Sequence, residues 1–166
     1  MDLDESLLSV NNHWSTEVII ITLGVLIIAL GAGYLIFNLA HLSLFIKILL
    51  LLPLVVVILY FGCLTPIRLE LESDSIRIQK VLGCIEIPKH EIKSIKKISL
   101  ASLEGSFRIF GSGGFLGYLG KFENSVIGKY DMYITERKRM ILIETISMKY
   151  VVNCDREEEF MSLLKR

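Results

Sequence analysis

Two long stretches without a charged side chain constrain this chain more than any other feature of its sequence. Asp, Glu, Lys and Arg are absent from residues 18–46, and after Lys47 they are absent again from residues 48–67. The chain is 52% hydrophobic yet 22% charged, so its apolar excess is concentrated in these two stretches. This distribution excludes a simple soluble protein.

Each stretch contains an apolar segment long enough to span a membrane. As a helix, residues 18–37 would cover about 30 Å, the thickness of the hydrocarbon core of a bilayer. Residues 44–64 form a segment of similar length, and Lys47 lies near its start, where a long side chain can reach the headgroups. Only a short turn separates the two segments. We therefore predict a transmembrane α-helical hairpin over residues 18–64, with both chain ends on one side.

The charges that flank the hairpin indicate its orientation. Lys47 is the only basic residue near the turn, whereas Arg68, Arg77 and Lys80 follow the second span. Because basic residues favour the cytoplasmic side, we expect a multi-pass protein with both termini in the cytoplasm. Apart from Thr22 the spans carry almost no polar side chains, which favours an anchor over a transport pathway.

The segment that precedes the hairpin, residues 1–17, has a weaker pattern. Leu3, Leu7, Val10 and Trp14 recur at spacings of three and four, which would place them on one face of a helix. Trp14 lies where aromatic residues collect at membrane interfaces. The sequence leaves two interpretations open, a short helix lying on the membrane and a disordered tail.

After the hairpin, residues 65–166 form a separate, water-exposed domain in which apolar and polar residues alternate. This alternation is typical of half-buried strands, and we predict strands over residues 67–71, 76–82, 84–87, 129–135, 140–145 and 149–153. The domain ends in a predicted amphipathic helix with Asp155 as its N-cap and Glu158 in the capping-box position. Its apolar stripe consists of Phe160, Leu163 and Leu164.

Several antiparallel strands followed by one amphipathic helix are the element order of a pleckstrin-homology-like (PH-like) fold. The segment 108–122, RIFGSGGFLGYLGKF, followed by Gly-Lys-Tyr at 128–130 and Ile-Thr at 134–135, resembles the bacterial PH-like domains that follow two transmembrane helices. The resemblance implies a membrane-anchored α+β protein whose hairpin precedes a bent antiparallel β-barrel closed by a C-terminal α-helix. It also implies an address in the bacterial inner (cytoplasmic) membrane, and most such domains have no assigned activity.

The glycine-rich segment 111–120 is the candidate functional motif. Glycines can cradle a phosphate, but a dinucleotide fingerprint would need glycine at Leu116, and no Gly-Lys-Ser/Thr follows for a P-loop. Two interpretations remain: the large apolar side chains contact the membrane or a protein partner, or they fold back onto the barrel. These side chains are Phe110, Phe115, Leu116, Tyr118, Leu119 and Phe122.

Two groups of basic residues are candidate contacts for anionic lipid, or alternatively solvated turns. They are Lys93, Lys96 and Lys97, and Arg137, Lys138 and Arg139. The first hairpin turn carries Glu72 and Asp74 where lipid-binding PH domains carry basic residues, so phosphoinositide binding is not expected.

Composition and spacing point away from catalysis and cofactors. The net charge of zero argues against nucleic-acid binding, and three scattered histidines and three isolated cysteines form no metal-ligand or catalytic pattern. We expect no enzyme, no metal and no cofactor. The first hypothesis is a membrane-tethered interaction module that binds a protein partner or a second copy of itself. The alternatives are a small accessory subunit of an envelope membrane complex and a domain that senses the lipid surface.

Overall fold

Two long apolar helices form the predicted hairpin element. The computed structural model describes residues 7–164, in which α1 spans Thr16–Asn38 and α2 spans Leu44–Leu64. Each helix begins after a serine N-cap: the Ser15 hydroxyl accepts a hydrogen bond from the Val18 N–H, and the Ser43 hydroxyl accepts one from the Ile46 N–H. Both helices are long and apolar enough to cross a membrane, and almost all of their residues are left uncovered by the rest of the chain.

The remainder of the described chain folds into two β-sheets and a terminal helix, α3 (Glu157–Leu164). The first sheet has the strand order β1-β2-β3-β4 and the second has the order β5-β9-β10-β8-β7-β6. The strands are β1 Leu8–Asn11, β2 Pro66–Leu71, β3 Ser75–Lys80, β4 Cys84–Pro88, β5 Ile92–Ile98, β6 Phe107–Gly114, β7 Gly117–Asn124, β8 Gly128–Ile134, β9 Met140–Thr145 and β10 Lys149–Asn153.

The PH-like architecture predicted from the sequence is confirmed, with two corrections. The strands form two sheets and not one closed barrel. One pairing is parallel, because β10 lies between β9, its antiparallel hairpin partner, and β8, which runs in the same direction as β10. The six-stranded sheet has open edges at β5 and β6, and its strands are not all antiparallel.

The segment before the helices is a strand, so the predicted helix or disordered tail is wrong for residues 8–11. Leu8 and Val10 are buried while Ser9 and Asn11 are exposed, and Val10 pairs with Leu69 of β2 in an antiparallel register. The segment forms a strand because pairing with β2 provides hydrogen bonds for its peptide groups and buries the side chains of Leu8 and Val10. Leu3, at the start of the predicted stripe, lies outside the described residues.

A hydrophobic core lies between the two sheets, and α3 packs on it. Phe160 is completely buried there, with Leu163 and Leu164 partly buried beside it, as the predicted apolar stripe requires. Helix α3 begins at Glu157, two residues after the predicted N-cap. The Asp155 carboxylate instead accepts a hydrogen bond from His13 at 2.8 Å and forms an ion pair with Arg139 at 3.4 Å.

A second core covers the opposite face of the six-stranded sheet. It contains Val18, from the first turn of α1, together with residues of strands β7 to β10. Val18 is completely buried. The first turn of α1 is therefore part of the β-domain's packing, and the helix leaves the domain directly from its core.

Candidate functional site at the base of the helical hairpin

The glycine-aromatic segment folds as a two-stranded β-hairpin, β6 and β7, whose tip is formed by Phe115 and Leu116. Gly111 and Gly120 are opposite each other in this pair, and both have positive φ. A β-carbon on either residue would collide with the backbone of the opposing strand. The glycines therefore allow two strands to approach closely, and they form no anion cradle.

The tip of this β-hairpin is joined to the two long helices by hydrogen bonds. The Leu116 N–H donates to the Thr22 hydroxyl at 2.9 Å. The Thr65 hydroxyl lies 3.1 Å from the Phe61 carbonyl and 3.4 Å from the Leu116 carbonyl, and its one proton is shared between these two acceptors. Within the tip, the Ser112 hydroxyl donates to the Phe115 carbonyl at 2.6 Å. Thr22 and Thr65 are both buried. The single polar residue noted in the first span thus binds the tip of the β-hairpin.

Apolar contacts surround these hydrogen bonds. The ring of Phe115 meets that of Phe61 edge to face at a centroid distance of 6.4 Å, and Phe110 meets Tyr60 at 6.2 Å. The Leu116 side chain lies over Gly62 of α2, and this leucine has a φ of 58°. A non-glycine residue in that conformation is strained, and the hydrogen bonds at Leu116 help to hold it.

A second set of contacts fixes the start of α1. The Ser15 N–H donates to the Thr135 carbonyl at 3.1 Å, and the Thr135 hydroxyl donates to the His13 carbonyl at 2.8 Å. The guanidinium of Arg137 lies 4.2 Å from the centroid of the Tyr118 ring and 4.0 Å from the Glu17 carboxylate. Both ends of the helical hairpin are therefore attached to the six-stranded sheet.

These contacts decide between the two interpretations of the apolar segment residue by residue. Tyr118, Leu119 and Phe122 are buried in β7, so a membrane or partner contact through these three is incorrect. Phe115 and Leu116 are half-buried against α2. Phe110 is 56% exposed and is the most accessible of the six predicted contacts.

The six predicted lipid-contacting basic residues do not form one patch, and most have a carboxylate partner. Lys96 pairs with Glu144 at 3.3 Å, Lys97 with Glu158 at 3.3 Å and Arg139 with Glu136 at 3.1 Å. Arg137 faces Glu17, as described above. For Lys93 and Lys138, no carboxylate lies within 4.0 Å among residues 7–164.

A cavity of about 580 Å³ opens on the six-stranded sheet and reaches from the β9–β10 turn to Lys121 of β7. Its polar lining is mainly basic, with lysines from four strands and two carboxylates, and its apolar lining includes Phe122 and Tyr130. The charged lining residues are Lys93, Lys121, Lys129, Lys149, Asp131 and Glu144. Only Lys93 was predicted from the sequence as a candidate contact. The other three lysines are far apart along the chain and come together only because their strands are neighbours in the sheet.

The two carboxylates of this lysine cavity differ in their environment. Burial raises the pKa of Asp131, and the charge of nearby Lys121 opposes that shift. Hydrogen bonds from Ser94 and Lys96 lower the pKa of Glu144, which also pairs with Lys149 at 3.5 Å. Lys149 is further held by the Ile127 carbonyl at 2.6 Å. Within residues 7–164, Lys93, Lys121 and Lys129 of this lining have no carboxylate oxygen within 4.0 Å, so the cavity can accept an anionic group.

Two packed sheets with a C-terminal helix on their core give the residues that follow α2 the element order of a PH-like domain. The family model described as bacterial PH domain matches residues 67–166. The chain belongs to the bacterial PH domain family. No curated protein and no solved structure matches it. The match begins after both helices, so β1 lies outside the matched region.

Proposed function

We propose that this protein is a membrane-tethered interaction module whose role is binding and not catalysis. The observation that carries the proposal is the position of the helices in the fold: α1 and α2 are inserted between β1 and β2, which are hydrogen-bonded neighbours. The tether therefore leaves and re-enters the domain at adjacent points. A domain anchored in this way is held in a fixed orientation at the membrane, and its lysine cavity stays open to other proteins.

The orientation we propose places the β-domain and both termini in the cytoplasm, at the bacterial inner membrane. The antiparallel pairing of β1 with β2 supports placing the segments before and after the hairpin on one side. The basic residues that follow α2 support the cytoplasmic side.

The three cysteines of the chain provide a test of this orientation. Cys84 is exposed on the β-domain, whereas Cys154 is buried, and burial raises the pKa of its thiol to about 11. A membrane-impermeant maleimide should leave Cys84 unmodified in intact cells and modify it after permeabilisation, while Cys154 stays unmodified until the domain unfolds. A Cys63→Ser background removes the cysteine of α2. Labelling of Cys84 in intact cells would reverse the proposed orientation.

The binding partner that the lysine cavity fits best is an acidic segment of another protein. Basic side chains around a partly apolar cavity of this size complement carboxylates on a chain that also carries an apolar side chain.

Site-specific photocrosslinking in native membranes tests the module. We expect a photoreactive residue at Lys129, on the cavity rim, to crosslink to protein. A matched probe at Glu158, whose side chain is 93% exposed elsewhere on the β-domain, should not. Charge-reversed Lys93→Glu combined with Lys121→Glu should weaken the crosslink from position 129. A crosslink unaffected by this change, or equal crosslinking from position 158, would contradict binding in the cavity.

One observation favours the accessory-subunit alternative. A groove of about 460 Å³ lies between α1 and α2 in the half of the hairpin far from the β-domain, and its lining is almost entirely apolar. It includes Ala29 and Gly33, small residues that permit close helix packing. Crosslinks to protein from this groove, and none from position 129, would favour a subunit that uses its spans for assembly.

A further inference from the structure

Apolar side chains from the β-domain surround the base of the helical hairpin. Val81 and Leu82, in the β3–β4 turn, are 57% and 69% exposed, and Phe110 on β6 is 56% exposed. All three lie beside the last turns of α2. The Leu82 N–H donates to the Cys63 carbonyl at 3.1 Å, and the Phe110 ring contacts Tyr60. With the half-buried Phe115 and Leu116, we call these residues the collar.

The exposed surface of the collar is continuous with the apolar surface of α2. Leu59 and Tyr60 are themselves exposed next to it. A soluble domain that ended above the membrane would have no reason to place large apolar side chains around its anchor, because exposed apolar patches mark contact surfaces.

The backbone at the collar is prepared for a medium that offers few hydrogen bonds. In hydrocarbon each unsatisfied peptide group costs several kcal/mol. The Leu116 N–H is bonded to the Thr22 hydroxyl, and the N–H groups of Val81 and Leu82 are bonded to carbonyls at the end of α2. The Leu116 carbonyl shares the Thr65 hydroxyl with the Phe61 carbonyl. Groups at the base of the helices thus accept hydrogen bonds from peptide N–H groups that water would otherwise accept.

The depth of these contacts agrees with this preparation. Thr22 lies six residues into α1, which corresponds to about 9 Å along the helix axis. The tip of β6 and β7 therefore reaches beside the apolar part of the helix and not only to its end.

We propose that the collar is embedded in the membrane, where Val81, Leu82 and Phe110 contact lipid acyl chains just below the headgroups. The inference rests on the membrane tether of the proposed function. It adds that the β-domain is seated in the interfacial layer and does not swing on a flexible stalk. Lipid contact and the two sets of contacts with α1 and α2 fix the height and tilt of the domain, and with them the position of the lysine cavity.

Fluorescence quenching by brominated lipids tests the collar in the full-length protein. Trp14 is the only tryptophan, so a Trp14→Phe background allows one tryptophan to be placed at Leu82 or at Phe110. The protein is reconstituted into phosphatidylethanolamine and phosphatidylglycerol vesicles with lipids brominated near the carbonyl end of the acyl chain. We expect both tryptophans to lose intensity relative to unbrominated vesicles.

Two control positions separate the possible outcomes. Leu30→Trp, exposed in the middle of α1, reports whether the helix is in the bilayer, and Ile146→Trp, exposed in the β9–β10 turn far from the helices, should keep its intensity. If Leu30→Trp is not quenched by lipids brominated deeper in the chain, the tether itself is wrong. If it is quenched while positions 82 and 110 behave like position 146, the collar is wrong and the tether stands. Protection of Cys154 from maleimide verifies folding, and Val81→Trp replaces a variant that fails this check.

Discussion

Replacing Phe160 with alanine is expected to lower the stability of the β-domain by about 3–5 kcal/mol, the usual cost of removing a buried phenylalanine ring. The ring is completely buried in the core between the two sheets, and Phe160 is the one buried residue of α3 (Glu157–Leu164). Its removal leaves a cavity that the short helix cannot fill by shifting. A domain of this size has a total stability of only about 5–15 kcal/mol, so the variant should unfold partly under mild conditions.

The measurement uses the full-length protein in detergent, with maleimide labelling of Cys154 as the signal for unfolding in urea. Because Cys154 is buried in the same core, its labelling midpoint follows the packing that Phe160 supports. The matched control is Glu158→Ala on the exposed side of α3, which should shift the midpoint little because a surface ion pair contributes about 0–1 kcal/mol. Equal midpoints for Phe160→Ala and the wild type would mean that α3 does not stabilise the core.

A carboxylate at position 10 should be similarly damaging. Val10 is almost completely buried opposite Leu69, so Val10→Asp places a charge among apolar side chains of the core. An uncompensated buried charge costs about 3–5 kcal/mol. The same Cys154 assay should therefore report a large loss of stability.

Asn11→Asp provides the control for this substitution, since Asn11 is the neighbouring residue on the exposed face of β1 and lies opposite Arg68. It should change the stability by no more than about 0.5 kcal/mol. A helix lying on the membrane or a disordered tail would give the two variants similar stabilities, so equal midpoints would contradict the strand.

The parts of the fold that the sequence predicted are those with a strong local pattern. An uninterrupted apolar run identifies each helix of the hairpin, and Phe160, Leu163 and Leu164 identify the inner face of α3. Strand β1 was missed because Val10 fits two patterns. It alternates with Leu8 as in a strand, and it also lies at helical spacing from Leu7 and Trp14. The partner that decides between them, β2, begins only after both helices.

The sequence drew attention to residues 110–122 because glycines there stand between large apolar side chains. It did not predict the contacts that these side chains make. Which of those side chains face inward depends on Thr22, Phe61 and Thr65, and no local period encodes these partners. The lysine cavity was missed for the same reason, because its basic residues come from separate strands of one sheet.

The insertion of the hairpin between two paired strands has a consequence for the order of synthesis. Strand β1 leaves the ribosome first, but its hydrogen-bonding partner β2 follows only after all of α1 and α2. At about 5–20 residues per second, β1 waits for several seconds. If the hairpin spans the bilayer as proposed, β1 can meet β2 only when both helices have crossed the membrane, because the two strands then lie on the same side. A chain in which only one helix has crossed would leave Leu8 and Val10 without a sheet and the first core incomplete. Completion of this sheet would then discriminate correctly inserted molecules from the substrates of quality-control proteases.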